Sequence, residues 1–103
     1  MRVISGSARG TRLLDLGDTE IRPTLDRVKE SLFNQVGSDL EGISFLDLFA
    51  GTGSIGIEAL SRGAEQVVFV EQNSQVQSLI IRNLEKCRLT VENQTVRWEL
   101  IKL

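Results

Sequence analysis

The chain has 103 residues, 41% hydrophobic and 25% charged, a composition that fits one soluble globular domain with one modest core. With no histidine and a single cysteine, Cys87, it excludes a Ser-His-Asp triad, a Cys-His pair, a structural zinc site and an intramolecular disulfide. A net charge of −2 is not the global signature of a nucleic-acid binder; no apolar run approaches the ~20 residues of a membrane span, no signal-peptide pattern is present, and the single cysteine fits a reducing cytoplasm, the expected location.

Arg2, Arg9 and Arg12 lie in the first twelve residues with no acid among them. Charge alone favours a solvated basic edge here over a phosphate-contacting patch. Arg2–Ser5 and Thr11–Leu14 read as extended segments, and the residues between them, with Gly6 and Gly10, read as a hairpin loop. Residues 17–22 read as loop. Thr24 is a good N-cap, Asp26 suits the positive first turn, and Leu25, Val28, Leu32 and Val36 follow at helical spacing up to Gly37.

Ser44–Phe49 predicts a strand, and Ser54–Arg62 a helix closed by Gly63. Gln66–Glu71 is an apolar strand candidate, continuous rather than alternating through Val67–Val70, which suits a parallel strand buried on both faces. Ser74–Cys87 predicts a helix with Val76, Ile80, Leu84 and Cys87 on one face, and Thr95–Leu103 a third strand. The expected class is α/β: a parallel β-α-β-α-β half of a doubly wound sheet at 43–103, preceded by a hairpin-helix extension at 1–37.

The strongest motif runs from Asp47 to Gly56 at a strand-to-helix junction. Gly51, Gly53 and Gly56 satisfy the dinucleotide fingerprint, and Glu71 follows Gly51 by 20 residues. Taken alone, this suggests NAD or FAD. Asp47 argues otherwise, because a carboxylate at the strand mouth disfavours a pyrophosphate dianion. It favours S-adenosylmethionine, whose α-ammonium and sulfonium are cationic. Glu71 can accept ribose hydroxyls in either class of cofactor. The competing structural readings are a loop-bracing carboxylate for Asp47 and a solvated strand-end acid for Glu71.

Arg22-Pro23-Thr24 with the following Asp26–Asn34, the run Leu46–Ala64, and Val68-Phe69-Val70-Glu71 together resemble the RsmD-like family. These are bacterial class I, Rossmann-like S-adenosylmethionine-dependent methyltransferases acting on a guanine N2 of small-subunit ribosomal RNA. The resemblance covers residues 1 to about 87. It implies that Asp47, Phe49, Ala50, Gly51, Thr52 and Gly53 surround the methionyl part of the cofactor. It further implies that Glu71 holds the ribose and that Gln72 lies beside the adenine. Arg22 and Thr24 would border the entering base, and Arg9 and Arg12 would touch RNA phosphates by fold analogy.

The family's Asp/Asn-Pro-Pro-aromatic motif, which orients the exocyclic amine and stacks on the flipped base, is absent, because the only proline is Pro23. The expectation is a cofactor-binding half with no catalytic residues of its own, no metal, and ribosomal RNA or the small subunit as partner of the parent protein. A nucleotide-cofactor fragment and a non-catalytic methyltransferase-like module are the alternatives. A half of this kind leaves the strand at Phe45–Phe49 with an open edge, so self-association is expected unless the Thr95–Leu103 segment fills it.

Overall fold

A computed structural model describes residues 1–15, 22–37, 39–48, 51–89 and 97–102, with the side chains of 22–26 outside the description. The elements are α1 (Arg22–Val36), β1 (Ser44–Leu48), α2 (Ser54–Ser61), β2 (Gln66–Glu71), α3 (Ser74–Lys86) and β3 (Arg97–Lys102). The strands form a parallel sheet in the order β1-β2-β3, with Leu46 beside Val68 and Val68 beside Glu99. This is the expected β-α-β-α-β unit.

Pleating sends alternate residues to opposite faces. Val67 and Phe69 are fully buried, and Phe45, Trp98 and Leu100 pack against the same core. Both α2 and α3 lie on this face: Ile57, Leu60, Val76, Ile80 and Leu84 join one cluster with Val67 and Phe69. Gly56 lets α2 approach so closely that a Cβ there would sit 2.3 Å from the Phe69 ring. On the opposite face Leu46 is 60% and Leu48 57% exposed, and Val68 and Val70 are half-buried. The expectation that β2 is buried on both faces is therefore corrected. Among the described residues, helices cover only one side of the sheet.

The N-terminal segment is a hairpin held by a single antiparallel bridge, Arg2 to Arg12. Val3 N–H donates to the Thr11 carbonyl at 2.9 Å and Leu13 N–H to the Met1 carbonyl at 2.7 Å. The loop between them rests on α2: Ser7 N–H donates to the Ser61 carbonyl at 2.8 Å, and Ala8 N–H to Ser61 Oγ at 2.9 Å. Gly6, at φ +92°, lies where a Cβ would overlap that carbonyl. Val3, Ala8 and Leu13 enter the same core cluster as the sheet.

α1 departs from expectation in start and in face. It begins at Arg22, so Thr24 lies inside the first turn and is not the N-cap; Pro23, with its fixed φ, suits that turn. Val28, Leu32 and Val36 are exposed, while Lys29 and Phe33 point inward at zero exposure. Phe33 stacks against Phe45 with ring centroids 6.4 Å apart, and the Arg62 guanidinium lies 4.7 Å above its ring.

α3 matches its expected face, with Val76, Ile80, Leu84 and Cys87 all buried. Asn73 caps it, accepting from Gln75 N–H at 2.9 Å and Val76 N–H at 3.2 Å. β3 pairs with β2 and not with β1, so it does not fill the open edge. Residues 95, 96 and 103 of the predicted third strand, like 16–21, lie outside the described residues.

Candidate functional site

The site forms where β1 and β2 end and α2 and α3 begin, the crevice in which open α/β sheets bind ligands. Gly51 (φ +57°) and Gly53 (φ +82°) turn the chain from β1 into α2 through left-handed conformations that favour glycine. Ser54 then opens α2.

Two carboxylates brace this loop. Asp47 of β1 is 9% exposed, and its Oδ2 accepts from Gly56 N–H at 3.1 Å. Burial pushes its pKa up to about 6; the Gly56 hydrogen bond opposes the rise and the nearby Glu71 charge adds to it. Glu71 closes β2. Its Oε1 accepts from Gly51 N–H at 3.1 Å, and its Oε2 accepts from Gln72 N–H at 3.1 Å and Asn73 N–H at 3.0 Å. Glu71 thus joins the glycine loop to the turn before α3. The bracing reading holds for Asp47, and Glu71 likewise braces the loop where a solvated strand-end acid was the structural alternative; Asp47 Oδ2 and Glu71 Oε1 each accept one of these bonds and keep lone-pair capacity for a ligand, while Glu71 Oε2 already accepts two.

On the α1 side of the loop lies a cavity of about 370 Å³, lined almost wholly by apolar surface from residues that include Met1, Val28, Thr52 and Ile55, with Lys29 and Ser54 also lining it. Among the other predicted residues, Gln72 is exposed beside Glu71, and Arg9 and Arg12 are exposed on the hairpin. Phe49 and Ala50 lie outside the described residues, as do the side chains of Arg22 and Thr24. No cluster of potential metal ligands occurs among the described residues, and no described helix is long and apolar enough to cross a membrane.

Behind the loop is a buried polar network that sequence reasoning missed. Lys29 Nζ donates to Ser54 Oγ at 2.9 Å and to the Arg2 carbonyl at 2.7 Å, and lies 3.3 Å from Glu58 Oε1. Glu58 also accepts from Ile4 N–H at 2.9 Å, Ser5 N–H at 3.0 Å and Arg62 Nε at 2.8 Å. The available signal was Glu58 and Arg62 at i,i+4, one inside the largely apolar α2 and the other at its C-cap, since charges there need partners.

The family model described as conserved hypothetical protein 95 matches residues 1–102. The chain belongs to this family. That is the RsmD-like family its motifs resemble. Among family relatives, Bacillus subtilis YlbH is 47% identical over 97 residues, covering 94% of this chain and 53% of YlbH. Ribosomal RNA small subunit methyltransferase D of Haemophilus influenzae is 42% identical over 96 residues, covering 93% of this chain and 50% of that protein. The solved structure of Escherichia coli yhhF superposes with a TM-score of 0.79 at 35% identity, covering all of this chain and 52% of that one. The fold is therefore the Rossmann-like α/β fold of these methyltransferases, and the chain spans about half the length of the relatives it matches.

The residues fit S-adenosylmethionine better than a dinucleotide. Gly51 and Gly53 leave the backbone bare for close approach, but Asp47 and Glu71 flank them with negative charge in a partly desolvated site. That field attracts an ammonium and a sulfonium and repels a pyrophosphate.

Proposed function

We propose that the chain is the cofactor-binding half of an S-adenosylmethionine-dependent methyltransferase whose substrate is a guanine N2 in small-subunit ribosomal RNA. The observation that carries this reading is the pairing of Asp47 and Glu71 across the glycine loop. Asp47, with Phe49, Ala50, Gly51, Thr52 and Gly53, receives the methionyl part; Glu71 receives the ribose hydroxyls, and Gln72 lies at the adenine. When bound, the cofactor supplies an electrophilic methyl on its sulfonium. This chain's own residues bind and orient it, work that is mostly positioning. Arg9 and Arg12 contact RNA phosphates, and Arg22 and Thr24 border the entering base. The hairpin-helix segment 1–37 is then the RNA-facing part and 43–103 the cofactor-facing part of one cytoplasmic enzyme.

The test is titration calorimetry of the 103-residue chain with S-adenosylhomocysteine and, separately, with NAD. Binding of the first alone is expected. Binding of NAD alone, or of neither by folded protein, overturns the reading. The Asp/Asn-Pro-Pro-aromatic motif that would orient the guanine amine is absent, so the 103-residue chain is expected to transfer no labelled methyl group to 30S particles.

A further inference from the structure

Asn83 of α3 is fully buried and belongs to none of the groups assigned above to cofactor or RNA. Its Oδ1 accepts from Leu14 N–H at 2.7 Å, while its Nδ2 donates to the Leu14 carbonyl at 2.9 Å and to the Thr52 carbonyl at 3.0 Å. Leu14 lies on the second strand of the hairpin. Thr52 lies between Gly51 and Gly53 in the cofactor loop. One buried amide therefore joins the two segments, and it must both donate and accept to do so. Aspartate cannot donate, leucine can do neither, and glutamine is longer by a methylene in a site with zero exposure.

Lys29 makes a second tie from the other strand, reaching the Arg2 carbonyl and Ser54 Oγ. The first strand is thereby fixed to the start of α2 and the second to the middle of the loop. A loop flanked by glycines has a large conformational freedom to lose, so bonds from outside it set its shape.

We propose that Asn83 is a positioning residue which, through Thr52, makes the geometry of the cofactor loop depend on the docked hairpin. A hairpin seated on RNA then presents a formed cofactor loop. This rests on the function proposed above, but its test separates the two. Three variants are compared with the wild type by amide hydrogen exchange at residues 51–53 and by S-adenosylhomocysteine titration. Asn83→Asp keeps the acceptor for Leu14 N–H and loses both donors. Gly6→Ala displaces the hairpin from Ser61 without touching Thr52 or Asn83. Leu84→Ala lowers core stability and removes none of the hydrogen bonds that tie the hairpin to the loop.

Loss of a buried hydrogen bond on this scale corresponds to about a tenfold effect. Loop exchange and the dissociation constant should both rise about tenfold in Asn83→Asp and Gly6→Ala, and neither should rise in Leu84→Ala. Unchanged loop exchange in the first two, or an equal rise in the third, overturns the proposal. Gly6→Ala keeps the test decisive if Asn83→Asp does not fold. Failure of the wild type to bind S-adenosylhomocysteine overturns the function, while the exchange arm still decides the positioning role.

Discussion

Lys29 Nζ and Glu58 Oε1 stand 3.3 Å apart with both side chains at zero exposure, and they join α1 to α2 behind the glycine loop. A buried pair of this kind is weak proof of net stabilisation, because both ions were desolvated to make it. Removing one partner is another matter. Glu58 would remain buried with Arg62 as its other cation, and Ser54 Oγ and the Arg2 carbonyl would lose their donor. Lys29→Met should cost about 1–3 kcal/mol in urea unfolding, the penalty for a buried polar group left without its partner. A cost under about 1 kcal/mol would mean that water or a rearranged side chain replaces the ammonium.

Glycines that look alike in the sequence should respond differently to substitution. Gly10 and Gly6 both have positive φ, at +85° and +92°, but a Cβ at Gly10 meets nothing within 4 Å. Gly10→Ala should therefore cost only the left-handed strain, roughly 1–2 kcal/mol. A Cβ at Gly6 would fall 1.8 Å from the Ser61 carbonyl, backbone that cannot swing aside. Gly6→Ala should additionally release the loop from α2, seen as lost exchange protection at Ser7 and Ala8. Equal thermal shifts for the two variants would contradict the docked hairpin.

The glycine loop and its acids were legible because their chemistry is local: Asp47, Gly51, Gly53 and Glu71 sit at fixed offsets from strand ends. The α3 face was legible because Val76, Ile80, Leu84 and Cys87 are both apolar and inward. The α1 face was not. Apolar periodicity selected Val28, Leu32 and Val36, yet Lys29 and Phe33 are buried, since Glu58 on a distant helix neutralises the lysine. A charge buried by a remote partner leaves no trace in a helical pattern. Asn83 was missed for the same reason, as its partners at Leu14 and Thr52 lie far away in the chain. β2 read as buried on both faces because its composition suits that; Val68 and Val70 are only half-covered among the described residues.

Asp47 should set a pH dependence of opposite sign for folding and for binding. Its folded pKa, near 6, lies above the ordinary 3.8, so the folded state prefers the protonated carboxyl. The associated stability is fully present below about pH 4 and is lost as pH rises through about 6, at most about 3 kcal/mol. A cationic ligand prefers the ionised carboxylate. S-adenosylhomocysteine, with its ammonium, should bind more weakly as pH falls below 6 and should release protons on binding near that pH. Asp47→Asn keeps an acceptor for Gly56 N–H but no charge. At pH 7 it should raise the melting temperature while weakening binding by about 1.5–3 kcal/mol. Unchanged affinity in the folded variant would remove Asp47 from the cofactor site.

β1 should drive self-association of the isolated chain. Among the described strands β1 pairs only with β2, which leaves the backbone donors and acceptors of its other edge available to a partner strand. Leu46 at 60%, Leu48 at 57% and Ile101 at 41% exposure present apolar side chains on the sheet face that no described helix covers. An unpaired edge beside an apolar face is a template for another chain. Sedimentation velocity across a concentration series should show species larger than a monomer. Leu46→Lys combined with Leu48→Lys should shift the distribution toward monomer with little loss of stability, because both side chains already face water. A wild-type chain that stays monomeric at every concentration, with that edge bare, would show that β1 is protected by residues outside those described.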